Sequence, residues 1–586
     1  MLDSTIGRLA RTRGLARLTA DLDLGRMGLL LVAGLGCSLI LVLLGVILWI
    51  SFRAGLPGEA TPYTLENYRN VVSDPFTYRV LTNTGIFGGV TMAVVMFFTL
   101  PMAWLVQRTD MPFKRGFEIL ISLNILIPNF LVAMGWILLL NPKNGAINTL
   151  LMGLLGLEKA PFSVYNVGMM GYVQGMALLP VAYFMVAAAF YAMDPALEES
   201  SRMSGASTWQ TLARVTLPVA MPAIVASFIY VAMIAVAVFE IPAIIGAPSN
   251  ILVFSTAIYY ATRPDFGLPQ YGMAGAYGSI VLFIGLAMSY SYLRTIRASH
   301  KYAIVTGKGY RPAPLGLGRW KWAGLGFMSL YFFPSLVVPF LILIWASLIP
   351  YVQVPSLEAV SLLSLALYTR IGEFLPIRPV LNTLMLLIVV PTVTMVLSTA
   401  ISWLVIRHRV AGRQLMDTIA FLPHATPSII FAISLAYLAL LVRNYVPLYG
   451  TLLIIVIAHA IVYVSFGTRT MNTALIQIHR ELEEAGVASG ASAFRVLLTV
   501  TMPLISRAIL NAWIWIGLLS FREVTMAITL MTSDSNTVLT TQIWRYWGSG
   551  QIRESAALGV IVFFMMAILV TISRLAGSRI AERRSI

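Results

Sequence analysis

Two short acidic patches contain the residue types in this sequence that best suit binding a partner. The first reads LEESSRMSGAS (residues 197–207) and the second reads LEEAGVASGAS (residues 482–492). Gly205 in the first patch can adopt a left-handed turn without a steric cost. Small residues around such a turn let another backbone approach closely. Each patch is therefore predicted to present a compact bend and an acidic edge to a basic surface.

The residues around the first patch predict two short helices joined by that turn. Asp194 can cap the first helix and Pro195 suits its first position. Ser207 can cap the second helix, and Gln210, three residues later, completes a capping box. The residues that the two patches share, and that we expect to form a docking surface, are Glu198, Glu199, Gly205, Ala206, Ser207, Glu483, Glu484, Gly490, Ala491 and Ser492.

Three charged residues lie within apolar stretches. Charges inside a membrane are costly and usually face a cavity or a partner, so Glu240, Arg522 and Glu523 are candidates for a cation path. In the alternative interpretation they form buried ion pairs that hold two halves of the molecule in register. Matching the letters FEIPAI with REVTMA makes Glu523 the repeat partner of Glu240. Asn83 and Asn382 form a second matched pair, of a kind that more often joins helices than binds cargo.

No residue pattern predicts bond chemistry, a metal site or a cofactor. The five histidines are scattered without metal-ligand spacing, and the single cysteine, Cys37, allows no intramolecular disulfide. TGKG at 306–309 is not a phosphate loop, because Gly309 follows Lys308 where serine or threonine is needed. A membrane enzyme is therefore disfavoured, and no ATPase activity of the chain itself is expected.

The composition is typical of a polytopic membrane protein. Of 586 residues, 58% are hydrophobic and only 11% are charged, whereas soluble domains carry about a quarter charged residues. The net charge of +16 does not indicate nucleic-acid binding, because the basic residues flank apolar segments. That is the pattern of cytosolic loops under the positive-inside rule.

The apolar segments predict an all-α protein with about twelve membrane spans. Each run is long enough to cross about 30 Å of hydrocarbon as a helix, and none alternates as barrel strands do. Basic loops favour an inner-membrane orientation with both termini in the cytosol and both acidic patches on the cytosolic side. The predicted spans are 27–50, 82–106, 119–140, 166–192, 223–246, 276–293, 323–349, 381–406, 418–442, 451–468, 508–531 and 556–573.

Several of these spans contain proline, which lipid tolerates only where neighbours satisfy the freed carbonyls. Ordinary kinks in packed helices are the first interpretation. Broken helices that line a path are the alternative near Pro423 and Pro427.

The second half of the chain repeats the first. AWLVQR, ending at Arg108, is echoed by SWLVIR, ending at Arg407, and the acidic patches follow in both halves. Two copies of one six-span bundle in the same orientation are therefore predicted. The predicted divisions are a basic cytosolic N-terminus (1–26), a first repeat (27–294), a cytosolic linker (295–322), a second repeat (323–574) and a basic cytosolic tail (575–586).

The acidic patches resemble the EAA loop of permease subunits in bacterial ABC importers. Glu199-Ser200-Ser201 and Glu484-Ala485-Gly486 stand at the family's Glu-Ala-Ala triplet, with Gly205 and Gly490 at its glycine. The resemblance implies that each loop forms a coupling helix that docks on one of two ATPase subunits, and that a periplasmic binding protein delivers the cargo. In the implied cycle, ATP-driven closure of the ATPases makes the two bundles rock between outward-open and inward-open states. Gly486 is expected to loosen the second coupling helix.

The fused two-bundle form most resembles the ferric-iron and thiamine branch of these importers. REVTMAITL resembles a region whose sequence in iron-type permeases is close to ELPATLLL. Val524-Thr525-Met526 departs from that pattern. Ferric iron is therefore the expected cargo, and thiamine, an aminophosphonate or a polyamine are alternatives. The rival function is a twelve-span secondary transporter that is driven by an ion gradient and needs no ATPase.

Overall fold

The computed structural model describes residues 24–59, 61–125, 127–264, 267–299, 315–408 and 411–582. Over these ranges the protein is all-α, as the sequence predicts. Two isolated β-bridges, Arg53 to Tyr63 and Thr109 to Leu315, occur outside the helices, and the described ranges contain no strand. Most of the predicted basic N-terminus, much of the predicted linker and the last four residues of the predicted tail lie outside the described residues, and the assignments of all three segments remain predictions.

Ten described helices are long and apolar enough to cross a membrane. Each overlaps one of the predicted spans. Their bounds are Gly25–Ser51, Pro75–Arg108, Val167–Ala192, Thr208–Ala237, Tyr271–Ile296, Trp320–Leu348, Ile377–Ile406, Leu452–Ile476, Ala493–Arg522 and Ile552–Leu569.

Three further apolar helix pairs are sharply bent. The first bends by 96°, the second by 73° and the third by 103°. In order, the pairs are Lys114–Asn124 with Asn129–Leu140, Pro242–Ser249 with Phe254–Thr262, and Arg413–Ala425 with Ser428–Leu441. The predicted spans 119–140 and 418–442 are therefore bent helix pairs and not single straight helices.

Proline explains two of these breaks. Pro128 and Pro427 each stand immediately before the second helix of a bent pair, with extended ψ values of 128° and 133°. A proline cannot donate the backbone hydrogen bond that would continue the preceding helix. Pro423, in contrast, lies inside its helix, as Pro101 and Pro180 do in theirs. A helix break thus occurs at Pro427, whereas the helices continue through Pro423, Pro101 and Pro180.

Two predicted spans end earlier than the hydropathy suggests. The predicted span 223–246 belongs to a helix that stops at Ala237, and the predicted span 508–531 belongs to one that stops at Arg522. A two-residue break follows each helix before helical structure resumes. Arg522 therefore caps a helix end instead of lying in mid-span, and Glu523 lies in the break.

Shorter helices connect the long ones. The described examples are Glu66–Ser73, Ala146–Leu155, Pro195–Met203, Leu357–Val360, Ala366–Thr369, Ile371–Phe374, Arg480–Ala488, Thr525–Leu530 and Leu539–Gly548, and the last helix extends as Ile552–Glu582. Single π-helical turns occur at Leu212–Thr216, Pro242–Gly246, Phe333–Val337 and Leu497–Thr501.

The chain divides into two compact units, and neither coincides with a sequence repeat. Unit 1 comprises residues 1–45, 384–424 and 453–521, and unit 2 comprises residues 46–383, 425–452 and 522–586. Within unit 2, aromatic side chains such as Phe98, Tyr183 and Tyr331 form a continuous core. Within unit 1, the Oγ atoms of Ser398 and Ser402 donate hydrogen bonds to carbonyls on the helix Leu452–Ile476. The predicted repeat boundaries remain a prediction.

Candidate functional site

The first acidic patch folds as the predicted helical hairpin, here named hairpin 1 (residues 194–216). The Asp194 side chain accepts a hydrogen bond from the Ala196 N–H at 2.9 Å and caps the first helix. Gly205 makes the turn with a φ of +86°, a value that strongly favours glycine. Ser207 and Gln210 form the predicted capping box at the start of the second helix.

The second patch folds in the same way and is named hairpin 2 (residues 479–501). Its first helix is Arg480–Ala488, its turn is at Gly490 with the same φ of +86°, and Ser492 caps its second helix. Equivalent positions in the two hairpins are all 285 residues apart in the sequence, as Gly205 and Gly490 are. The N-cap differs, because His479 makes no side-chain cap where Asp194 does.

A buried ion pair fixes hairpin 1 to the end of a long helix. Arg108 Nη2 lies 2.7 Å from Glu198 Oε2, and both side chains are more than nine-tenths buried. Arg108 Nε also donates to both Glu198 oxygens, at 3.3 and 3.1 Å. Thr216 Oγ1 donates to Glu198 Oε1 at 2.6 Å. These three residues, cluster 1, satisfy the carboxylate that burial would otherwise penalise.

Cluster 1 also connects hairpin 1 to the end of a second long helix. Arg108 Nη1 lies 3.4 Å from the carbonyl oxygens of Phe190 and Met193, at the carboxyl end of Val167–Ala192. Carbonyls at a helix end lack intrahelical partners and favour a cation. The π-helical turn Leu212–Thr216 brings Thr216 to the carboxylate. Hairpin 1 is therefore rigidly linked to two candidate spans.

Hairpin 2 contains the same arrangement, cluster 2. Arg407 Nε lies 3.2 Å from Glu483 Oε1, and Thr501 Oγ1 donates to the same oxygen at 2.8 Å. Arg407 Nη2 donates to the carbonyls of Leu475 and Ile478 at 2.7 and 3.0 Å. Each contact is equivalent by position to one in cluster 1.

Cluster 2 is the looser of the two. The Glu483 side chain is 16% exposed, against 7% for Glu198. Arg407 Nε is close to Glu483 but lacks hydrogen-bond alignment, so the contact is electrostatic and not bidentate. Because Glu483 is more hydrated, removing Arg407 from this pair should cost less free energy of folding than removing Arg108 from the buried, fully hydrogen-bonded pair.

These contacts correct the expected role of two acidic residues. Glu198 is buried and Glu483 is half-buried, so they position the hairpins and do not form the outer edge. The exposed surface of the hairpins is instead formed by residues such as Met203, which is 90% exposed, Trp209 and Glu484. Glu199 is half-buried.

Sequence reasoning missed the roles of Arg108 and Arg407. A signal was present, because each arginine ends the repeated W-L-V-x-R pattern. Pairing Arg108 with Glu198 nevertheless requires a contact across 90 residues, which only the fold supplies.

A cleft of about 440 Å³ lies beside hairpin 2. Trp403, His408 and Glu484 are among its lining residues. Burial, reinforced by the positive charge of Arg26, lowers the pKa of His408. The imidazole is therefore neutral near pH 7, and the charge of the cleft comes from its arginine and glutamate residues.

The charged residues Glu240, Arg522 and Glu523 lie near helix breaks in unit 2. Arg522 donates to the Ile125 carbonyl and, at 3.0 Å, to Asn129 Oδ1, at the break of the first bent pair. Within the described residues, Arg522 forms no ion pair within 4.0 Å with Glu240 or Glu523. The guanidinium is therefore held by polar groups of the broken helix.

The two carboxylates have different surroundings. Glu523 Oε1 accepts from Ser428 Oγ at 3.4 Å and from the Met526 N–H at 3.3 Å. Glu240 is 6% exposed, and its Oε2 accepts no hydrogen bond from the described residues. Both Arg522 and Glu523 are close enough to Glu240 to act on it electrostatically.

The structure corrects the expected pairing of Glu240 with Glu523 in the repeat. The helices Leu217–Ala237 and Met502–Arg522 end at equivalent positions, so Glu523 matches Val238 in the first break. By the same register Glu240 matches Thr525. The sequence alignment of FEIPAI with REVTMA is therefore shifted by two residues from the alignment given by the helix ends.

Asn83 and Asn382 anchor their helices to a following loop. Asn83 Nδ2 donates to the Leu252 carbonyl at 3.0 Å. Asn382 Nδ2 donates to the Ser535 and Thr537 carbonyls at 2.9 and 2.8 Å. Both side chains thus join elements, as polar residues near span ends commonly do. No group of three potential metal ligands occurs in the part of the chain that the structure describes.

Comparison with known proteins decides the family. Residues 85–296 and 397–585 each match the family described as "binding-protein-dependent transport system inner membrane component". The chain belongs to this family. Two matches in one chain confirm the fused duplication, and the protein is an inner-membrane permease subunit of an ABC importer, a transport component and not an enzyme.

Similar proteins extend over most of the chain. A putative ferric transport system permease protein of Haemophilus influenzae is 23% identical over 86% of this chain and 78% of its own. A second ferric-transport permease of that organism is 23% identical over 90% of this chain and 96% of its own. Among solved structures, a bacterial alginate ABC transporter is 20% identical over 41% of this chain and 85% of its own, with a TM-score of 0.34.

Proposed function

We propose that hairpins 1 and 2 are the docking elements for two ATPase subunits, one on each hairpin. The observation that carries the proposal is the repetition of the whole arrangement. Both copies contain the hairpin, the left-handed glycine turn and an Arg–Glu–Thr cluster. The sequence around these elements has diverged, as Trp209 against Phe494 illustrates. Repetition of the cluster supports a mechanical role for both hairpins.

The clusters provide a route for force from the hairpins into the membrane helices. Cluster 1 joins hairpin 1 to Pro75–Arg108 and Val167–Ala192, and cluster 2 joins hairpin 2 to the ends of Ile377–Ile406 and Leu452–Ile476. Closure of ATP-bound partners would shift the hairpins and, through these contacts, the helices. Hydrolysis takes place on the partner subunits.

The same proposal includes an orientation and the remaining partners. Both hairpins and both termini lie in the cytosol, which agrees with the basic loops that flank the spans. The spans lie in the lipid bilayer, and a periplasmic solute-binding protein presents cargo on the opposite face. No nucleic acid takes part.

Ferric iron is the cargo that we propose. Its support is the similarity along most of the chain to permeases named for ferric transport. A spermidine/putrescine permease of Haemophilus influenzae is 27% identical over only 36% of this chain, so a polyamine is the second candidate. Thiamine and an aminophosphonate rank behind these two cargoes.

Cargo identity can be tested in proteoliposomes that contain the permease, its ATPase and its binding protein. We expect ATP-dependent accumulation of radiolabelled ferric iron and none of radiolabelled putrescine. Omitting ATP is the control. Accumulation of putrescine without iron would overturn the cargo assignment, and iron movement driven by an ion gradient without ATPase would favour the secondary transporter.

We assign Glu240, Arg522 and Glu523 to the translocation path or its wall. The support is the polar convergence at the helix breaks and the buried Glu240 Oε2, which accepts no hydrogen bond from the described residues. Such oxygens are rare in proteins and are expected where a carboxylate has a functional role. Asn83 and Asn382 are assigned to the joining of helices. In the same uptake assay, Glu240→Gln should slow iron transport without loss of ATPase binding, and unchanged transport would remove Glu240 from the path.

A further inference from the structure

An apolar groove of about 590 Å³ lies beside hairpin 1 in unit 2. Pro101 and Trp104 of one long helix form one wall, and Trp320 and Phe327 of another form the opposite wall. Trp209 of hairpin 1 lies at the same groove, with its ring centroid 5.8 Å from that of Trp104. Neither cluster 1 nor the proposed path uses this groove.

The groove is continuous with a lipid-facing surface. Five exposed positions along Trp320–Leu348 lie three or four residues apart, at Trp320, Ala323, Gly326, Leu330 and Phe333, and Trp322 and Leu341 are exposed in addition. This spacing places them on one helix face. Exposed apolar residues on one face of a membrane span are expected to contact lipid tails. Because Trp320 and Ala323 also line the groove, it opens onto that face.

Residue types of a membrane interface adjoin Trp320, which lines the groove. Arg319 and Lys321 flank Trp320, and the Lys321 ammonium lies 6.0 Å from the centre of the Trp322 ring. Tryptophan is enriched at the headgroup level, and lysine and arginine attract anionic lipid headgroups there. The basic residues next to Trp320 thus suit an anionic headgroup, and the apolar lining of the groove suits a hydrocarbon chain.

The second repeat packs its equivalent position differently. Phe494 replaces Trp209, and the backbone of Gly25 packs directly against the Phe494 ring, so closely that an added Cβ at Gly25 would overlap it. A cleft is present beside hairpin 2 as well, but charged residues such as Arg407, Arg480 and Glu484 line it. The apolar lining of the groove beside hairpin 1 is therefore not repeated.

We propose that this groove binds one acyl chain of an anionic phospholipid, with its headgroup at Arg319 and Lys321. The bound chain packs against Trp209, so it contacts the second helix of hairpin 1. The inference depends on the membrane location of the chain and not on the identity of the cargo.

Photo-crosslinking tests the site on the full-length permease in nanodiscs. The probe is phosphatidylglycerol with a photoreactive group in its acyl chain, and the labelled peptides are mapped. We expect labelling concentrated on peptides that contain Trp104, Trp209 or residues 320–327. Ala323→Trp, which fills the groove, should reduce that labelling by about fivefold or more, since overpacking disfavours the bound state.

Gly326→Trp is the matched control on the same helix. Gly326 is exposed and an added Cβ there meets no atom within 4 Å, so this variant should label as the unmodified protein does. Trp320→Ala removes one of the side chains that line the groove. It should also reduce the labelling, and it replaces Ala323→Trp as the test if that variant does not insert into the membrane. Equal labelling of all variants, equal labelling by a phosphatidylethanolamine probe, or loss of labelling when the ATPase is added would each overturn the proposal.

Discussion

The double variant Glu199→Arg with Glu484→Arg should lose both cargo uptake and ATPase association while the permease still inserts into the membrane. Each change reverses the charge on a helix that we propose to dock on an ATPase. A like-charge contact at an interface costs several kcal/mol, so two such contacts should exceed the docking energy. Co-purification of the ATPase with the permease measures association, and the proteoliposome assay measures uptake.

A charge-matched control is available on the same chain. Glu158 and Glu358 are exposed and lie outside both hairpins in the sequence. Glu158→Arg with Glu358→Arg makes the same change in net charge, and should leave ATPase co-purification intact. Normal transport by the Glu199 and Glu484 double variant would rule out the docking role.

Arg108→Ala should give the second large effect, through loss of cluster 1. Removing one member of a buried ion pair costs about 3–5 kcal/mol, because the Glu198 carboxylate is left buried without its cation. Hairpin 1 should then detach locally from its two helices. We expect amide hydrogen exchange over residues 195–211 to accelerate by about 100-fold or more. Association with the ATPase should weaken in parallel.

The equivalent change in hairpin 2 should be milder. Glu483 retains more solvent and Arg407 is less well aligned with it, so Arg407→Ala removes a weaker contact. Arg469→Ala is the control for the loss of an exposed ion pair, because its pair with Asp417 is substantially exposed. It should change hydrogen exchange and ATPase association least. A larger effect at Arg407 than at Arg108 would contradict the stated difference between the clusters.

The hairpins could be predicted because their signals are local. Asp194, Pro195, Ser207 and Gln210 act within a few residues of their own positions, and the left-handed turn at Gly205 requires only the absence of a side chain. Hydropathy likewise located the ten long helices, because a span of about twenty apolar residues is itself the physical requirement.

The remaining features depend on contacts that no local signal encodes. Cluster 1 joins Arg108 to a residue 90 positions away, and Arg522 bonds to Ile125 and Asn129 nearly 400 positions away. Hydropathy cannot distinguish a continuous span from two helices bent at Pro128. Matching letters placed Glu523 opposite Glu240, whereas the helix ends place Thr525 there. In each case tertiary geometry, and not composition, determines the result.

Cysteine cross-linking to the ATPase tests the central claim most directly. The chain has one native cysteine, the buried Cys37, so new sites are easily distinguished. Met203→Cys and its equivalent Ala488→Cys place exposed thiols on hairpins 1 and 2. We expect each variant to cross-link to one ATPase subunit, and the two together to capture two subunits per permease. Absence of cross-links at both hairpins in an ATPase-bound complex would contradict the account.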